Sequence, residues 1–315
     1  MYHSKISGLG YYVPENVVTN DDLSKIMDTN DEWIQERTGI KERRHIIRGE
    51  DTTTSMGVKA AEIAIQRANV AKEDIDFVIF ATLSPDYYFP GPGVLVQRDL
   101  GLRTVGALDV RNQCSGFVYA ISIADQYIKT GMYKNILVIG SEVHSTGLDM
   151  TDRGRGVSVI FGDGAGAAVL SREEDLSKGI LSTHLHSEGQ HAEELSLVAP
   201  GMGKRWVTDI IADNDPNDES YYPYMNGQFV FKNAVVRFSE VINEGLQANN
   251  LQVSDINMLV PHQANLRISQ FIQQKFKLSD EQVYNNIMNY GNTTAASIPI
   301  ALTEAWEQGK IKSGD

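Results

Sequence analysis

The sequence predicts an α/β protein made of two similar halves. Three observations carry that expectation: alternating helical and buried-strand patterns, an internal repeat, and a composition with room for a large core. Of 315 residues, 42% are hydrophobic and 22% charged, the balance of an ordinary globular chain rather than a disordered or fibrous one. At about 100–200 residues per domain, this length suits two domains or one duplicated one.

The repeat comes first. Ile65–Asp76 (IQRANVAKEDID) aligns with Leu246–Asn257 (LQANNLQVSDIN) at a constant offset of 181, from 65 to 246. A short apolar run follows each, Phe77–Phe80 and Met258–Pro261, with the length and residue types of a buried strand. Upstream, Ala60, Ala61, Ala64, Ile65 and Ala68 recur at helical spacing, matched by Val241, Ile242 and Leu246, as one apolar helix face requires. The first half then reads strand (Val105–Val110), buried helix (Ser115–Ile128), turn (Thr130–Asn135), strand (Ile136–Gly140) and Gly-rich strand (Val157–Leu170). The second half reads strand (Tyr284–Met288), loop (Asn289–Thr294), helix (Ala296–Gln308) and turn (Gly309–Asp315). Such alternation argues for sheets covered on both faces, and the duplication for two sheets meeting at a pseudo-twofold axis, with halves at 1–174 and 175–315. Partners of the last two first-half strands are expected after Asp315, so the sequence reads as cut short at its C-terminus, with open sheet edges there.

Composition excludes several function classes. The net charge of −13 sets up a field that repels nucleic acid and anionic membranes. The exception is Glu36–Arg48, where Arg37, Lys41, Arg43, Arg44 and Arg48 make a basic stretch, either a local anion patch or a solvated helix end. No run approaches the roughly 18 apolar residues of a membrane helix, and MYHSKISGLGYYVPEN lacks the apolar core of a signal peptide, so a cytoplasmic protein is expected. One cysteine permits neither an internal disulfide nor a zinc ribbon. His184, His186, His191 and Glu193 have the residue types of a metal site, but nothing else in the sequence asks for a metal and none is expected.

Three residues have the placement for chemistry. Cys114 lies where the Val105–Val110 strand runs out and a helix begins, where unpaired N–H groups and the helix dipole are expected to stabilise a thiolate and lower its pKa. His262 follows the apolar run Met258–Val260, and Asn292 lies in the loop before the last helix. All three fall at strand C-termini or helix N-termini, where α/β sheets bind ligands, and the repeat lets them converge on one cleft. The order Cys, His, Asn also describes papain-like proteases, and the 148 residues from 114 to 262 fit their spacing of about 130–150. Asn292 is too far downstream for that family, however, and Cys114 lacks its Cys-Gly-Ser-Cys signature.

Taken together, Gly8–Pro14 (GLGYYVP), Asp28–Ile34 (DTNDEWI) with Arg37-Thr-Gly39, Cys114–Phe117 (CSGF), Thr151–Gly154 (TDRG), Phe161–Ala165 (FGDGA), Pro261–Arg267 (PHQANLR) and Tyr290–Thr293 (YGNT) resemble β-ketoacyl-acyl carrier protein synthase III. This is the initiating condensing enzyme of fatty acid synthesis in the thiolase-like superfamily. The resemblance runs along nearly the whole chain and implies a thiolase-like α/β/α/β/α fold. It implies that Cys114 carries an acyl group taken from acyl-CoA, and that malonyl-acyl carrier protein loses CO₂ to give a carbanion that attacks it. His262 and Asn292 would stabilise the enolate, and the Cys114 N–H would supply half of an oxyanion hole. The family's other oxyanion donor comes from a Gly-rich C-terminal loop that this sequence lacks.

The resemblance further implies that Trp33, Arg37 and Arg153 bind the CoA nucleotide and that Asn265 orients the catalytic histidine. It implies that Lys232 and Arg267 dock the acidic carrier protein, that Phe89 reaches an acyl pocket across a homodimer interface, and that no metal or redox cofactor takes part. The Gly-rich run Phe161–Ala167 lacks the spacing of a nucleotide loop and is expected to serve close backbone packing between the halves. Ala199–Asn226, rich in Asp, Tyr and Pro, reads as a surface loop or as a lid over the acyl tunnel. A lid would suit an alternative, a related condensing enzyme joining longer or unusual acyl chains. A noncatalytic partner of the same fold is a further alternative, against which the joint presence of Cys114, His262 and Asn292 speaks, and a thioester hydrolase or acyltransferase using the same acyl-cysteine is another, separable by its products.

Overall fold

The computed structural model describes residues 2–201, 215 and 217–315; residues 202–214 and 216 of the Ala199–Asn226 stretch lie outside the described residues. Its centre is a five-stranded sheet. The strands in chain order are β1 (His3–Tyr12), β2 (Val17–Thr19), β3 (Glu42–Arg44), β4 (Phe77–Ala81), β5 (Gly106–Val110), β6 (Asn135–Glu142), β7 (Gly164–Glu173), β8 (Leu195–Ser196) and β9 (Tyr224–Met225). The sheet runs β1-β7-β6-β4-β5, while β2-β3 and β8-β9 form two-stranded pairs. β4 pairs parallel with β5 and β6, whereas β7 is antiparallel to both of its neighbours.

Alternation along the strands explains the layers. Val78, Phe80, Leu137, Ile139, Ala165, Ala167 and Val169 face the Thr53–Ala68 helix, which buries Met56, Ala60, Ala61, Ala64 and Ile65 against them. That helix lies very close, because Gly8 and Gly10 of β1 would put a Cβ 2.2 Å from Ala64 O and 2.4 Å from Ala60 O. The intervening residues Ile79, Ala81, Ile136, Val138, Ala168 and Leu170 face the other way. There they meet Phe117, Ala120, Ala124 and Ile128 of the Gly116–Lys129 helix and Ala295. The Ser297–Glu307 helix packs on this same side, with Ile298 and Leu302 against the cluster.

The repeat is visible in the backbone. One-turn 3₁₀ segments fall at Lys72–Asp74 and Val253–Asp255, and again at Gln113–Ser115 and Thr294–Ala296, while helices start at Gly116 and Ser297. Each pair is separated by the 181 residues found in the sequence. The last two turns even share a left-handed first residue, Gln113 at φ 45 and Thr294 at φ 52.

Three sequence expectations need correction. Met258–Val260 and Tyr284–Met288 are not ladder strands; Leu259 makes a single parallel bridge to Val283, just before the second segment, and Ile287–Tyr290 is a helical turn. A short parallel pair persists as a strand only inside a larger sheet, and among the described residues no further strand lies beside this one. The Gly-rich strand begins at Gly164 instead of Val157, because Arg155–Ser158 turns as a helix.

Candidate active site

Cys114 sits at the C-terminal end of the parallel strands, in the 3₁₀ turn that feeds the Gly116–Lys129 helix. Facing it is the related turn Thr294–Ala296; a Cβ on Gly116 would stand 3.4 Å from Ala295 Cβ. Thr294 is β-branched yet left-handed, a conformation that costs on the order of 1–3 kcal/mol and persists only where surroundings enforce it. Here the enforcement is explicit. Thr294 N–H donates to Asn292 Oδ1 at 2.8 Å, and Thr294 Oγ1 meets His144 Nε2 at 2.7 Å. Asn292 itself is held to the first half, its N–H donating to Ile160 O at 2.8 Å and its O accepting from Gly162 N–H at 3.1 Å. With Oδ1 occupied, the Asn292 amide is turned so that Nδ2 can donate. The Thr294–Ala296 turn packs directly against the Cys114 turn, so the side chains of Asn292 and Thr294 stand beside the thiol and act to lower its pKa.

The thiol does not have the lowered pKa that its place before a helix led us to expect. Burial, and next the charge of Glu142, push it up to about 12; desolvation of a thiolate outweighs one turn of N–H groups. Glu142 ends β6 and is fully buried, accepting from Thr82 Oγ1 at 3.0 Å, Leu83 N–H at 3.2 Å and Ser84 Oγ at 2.7 Å. Burial raises its carboxyl to about 7. The sequence reading missed Glu142, although a carboxylate just after the apolar run Ile136–Ile139 of a buried strand was the available signal. His262 follows the Leu259 bridge. Its Nδ1 lies 2.6 Å from Ser297 Oγ, its Nε2 is buried without a partner among the described residues, and burial lowers its pKa to about 4, so the ring is neutral.

A second cluster lies around Trp33. The Arg37 guanidinium is 4.6 Å from the indole centroid and that of Arg155 is 5.1 Å away. One side of the indole also packs with Leu23, Met27, Ile34 and Ile40. Arg153 is not in this cluster, since it ion-pairs with Asp149 at 2.5 Å, donates to Asn217 O at 2.8 Å and lies over the Tyr222 ring. The second cation on Trp33 is Arg155, which sequence reasoning did not single out.

Comparison with known proteins fits this geometry. A family model for 3-oxoacyl-[acyl-carrier-protein] synthase III matches residues 108–189, and its C-terminal model matches residues 246–315. The β-ketoacyl-[acyl-carrier-protein] synthase III of Sulfurimonas denitrificans is 43% identical over 100% of this chain and 93% of its own. The enzyme of that name from Aquifex aeolicus is 46% identical over 99% and 93%. The chain belongs to the β-ketoacyl-[acyl-carrier-protein] synthase III family. Its fold is the family's thiolase-like α/β fold: the crystal structure of the Aquifex aeolicus synthase III superposes with a TM-score of 0.89, covering 99% of this chain and 93% of that one.

Within this synthase III fold, other expected residues are placed as follows. Among the described residues Asn265 makes no hydrogen bond to His262; its Nδ2 donates to Arg37 O at 2.9 Å and its Oδ1 caps the Leu266–Phe276 helix at Arg267 N–H, also 2.9 Å. Ser297 holds the histidine instead. Lys232 and Arg267 are both exposed, on two helices packed against each other, with Arg267 over the Phe231 ring. Phe89 is 82% exposed beside exposed Tyr87 and Tyr88. The segment following them is tied to β5, the sheet edge, by Gly93 N–H donating to Asp109 Oδ1 at 2.8 Å. The Gly-rich run lies close to second-half backbone, as expected: a Cβ on Gly162 would fall 2.2 Å from Tyr290 O, and one on Gly166 2.9 Å from Ile300 N. His184 and His186 both bond Glu244, at 3.0 and 2.6 Å.

Proposed function

We propose that this chain catalyses the decarboxylative Claisen condensation that opens fatty acid synthesis, joining an acyl-CoA to malonyl-acyl carrier protein to give a β-ketoacyl-acyl carrier protein. The observation that supports it best is the packing of the Cys114 turn against the Asn292–Ser297 segment, beside a half-buried His262 whose buried Nε2 has no hydrogen-bond partner among the described residues. Cys114 sulfur attacks the acyl-CoA carbonyl, and CoA departs as its thiol with the cysteine proton. Malonyl thioester then enters with its carbonyl oxygen between His262 Nε2 and Asn292 Nδ2. Loss of CO₂ leaves the electron pair on the α-carbon and negative charge on that oxygen, where two preorganised donors act. The carbanion attacks the acyl-cysteine, and the Cys114 thiolate is expelled and takes up a proton.

This reaction draws its driving force from CO₂ release and needs no metal or redox cofactor. Arg37 and Arg155, with Arg153 farther off, supply cations for the CoA nucleotide around Trp33; Lys232 and Arg267 offer a basic rim to the acidic carrier protein, which the chain's net charge of −13 would otherwise repel. We take the working form as a cytoplasmic homodimer of two-half subunits (1–174 and 175–315). The exposed Phe89 segment and the β5 edge, unpaired among the described residues, support the dimer, since both are surfaces a monomer leaves in water. Among the described residues, no helix is long and apolar enough to cross a membrane. The test is product analysis: acetyl-CoA with malonyl-acyl carrier protein should yield acetoacetyl-acyl carrier protein and CO₂ in equal amounts. Release of free acid without a longer product would refute the condensation in favour of thioester hydrolysis.

A further inference from the structure

The condensation leaves one polar side chain beside His262 without a role. Ser297 is the first residue of the last helix and only 2% exposed. Its Oγ lies 2.6 Å from His262 Nδ1 and accepts a longer bond, 3.4 Å, from the Gln263 N–H. A hydroxyl owns one hydrogen and two lone pairs. Gln263 uses a lone pair, and among the described residues the remaining partner of Oγ is His262 Nδ1. The hydroxyl hydrogen therefore points at Nδ1, which accepts it, and a neutral imidazole that accepts at Nδ1 carries its own proton on Nε2. In the opposite arrangement Nδ1–H would donate to Oγ, stranding the hydroxyl hydrogen in a buried site and leaving Nε2 bare. A buried group left unsatisfied in this way is destabilising.

We propose that Ser297 is a positioning residue that locks His262 in its Nε2–H tautomer, so that the imidazole meets the substrate's thioester oxygen as a hydrogen-bond donor. The inference deepens the condensation reading and rests on it for the identity of that oxygen. The unpartnered, buried Nε2 is then a donor held ready for a ligand. Burial that keeps the ring neutral down to about pH 4 supports the same picture, because only a neutral ring has a tautomer to choose.

The test separates tautomer from turnover. In the full chain labelled with ¹⁵N-histidine, His262 should show a protonated Nε2 and a bare Nδ1; a protonated Nδ1 overturns the proposal. Ser297→Ala should shift His262 toward a tautomer mixture and lower condensation and malonyl decarboxylation about 10–100-fold, as partial loss of an enolate donor does. Acylation of Cys114 should stay within about twofold, because that step does not use the donor. Ser297→Thr keeps the hydroxyl and should recover most of the loss. Should Ser297→Ala fail to fold, Ser297→Cys, with its weaker S–H donor, should fall between the wild type and that expectation. An unchanged tautomer and unchanged condensation in whichever of these two variants folds overturns the proposal. A correct tautomer that Ser297→Ala shifts, in an enzyme that makes no β-ketoacyl product, would uphold the role of Ser297 and sink the condensation reading instead.

Discussion

Gly140 of β6 tests whether the seam between the halves sets the catalytic geometry. A Cβ built on Gly140 would stand 2.3 Å from Ala295 O, 2.7 Å from Ala295 C and 3.2 Å from Ala296 N. All three are backbone atoms of the turn that follows Asn292 and begins with Thr294, so no side chain can swing aside. Ordinary contact begins near 3.4 Å, so Gly140→Ala must push the turn and the strand apart by about 1 Å, and misplacements of that size cost about 10²-fold in rate. Overpacking of this kind costs about 1–3 kcal/mol, which at about 2–4 °C per kcal/mol lowers Tm by about 2–12 °C. The assays are condensation kcat with acetyl-CoA and malonyl-acyl carrier protein, and thermal unfolding. Gly189→Ala is the control, since a Cβ there meets nothing within 4 Å, and it should leave both unchanged. A Gly140→Ala enzyme with wild-type kcat and Tm would refute the claim that this backbone contact positions Asn292 and Thr294.

Other outcomes follow from the same geometry. Because burial and Glu142 hold the Cys114 thiol near 12, its alkylation by iodoacetamide should rise about tenfold per pH unit from 7 to 10 without a plateau; a plateau near pH 8 would show an activated thiolate. Glu142, raised to about 7, is mostly neutral below that pH and charged above it. Glu142→Gln should therefore match the wild type in alkylation at pH 5.5 and exceed it severalfold at pH 9, and equal ratios at both would remove Glu142 from the thiol's surroundings. Trp33→Ala should raise KM for acetyl-CoA about tenfold, and Arg155→Ala about threefold, as lost stacking and cation–π contacts do. Neither should change KM for acetyl-pantetheine, which has no adenine; a parallel rise there would mark a structural defect.

Much of this was legible from the residues because the strongest signals are local. The Thr53–Ala68 face, the buried strands and the 181-residue offset follow from periodicity alone, and the offset reappears in turns and helix starts. What was not legible depends on contacts distant in the chain. The family resemblance implied Asn265 as the partner of His262, yet the bond goes to Ser297, 35 residues away in sequence. The family resemblance implied Arg153 for the CoA nucleotide, but Arg153 is engaged by Asp149 and it is Arg155, two residues on, that reaches Trp33. The pKa of Cys114 was misjudged because a helix N-terminus is visible in sequence, whereas enclosure by Glu142, Asn292 and Thr294 is not. Met258–Val260 has the composition of a strand, but a strand exists only with neighbours to bond.

The central claim is that Cys114 carries the acyl group and yields it to a malonyl-derived carbanion. Intact-protein mass spectrometry after incubation with acyl-CoAs from acetyl to long-chain, with Cys114→Ala as control, tests it most directly. A single acyl adduct that the control lacks, and that disappears on adding malonyl-acyl carrier protein, is the predicted result and also names the preferred chain length. No adduct with any donor, or an adduct that persists in Cys114→Ala, would contradict the account.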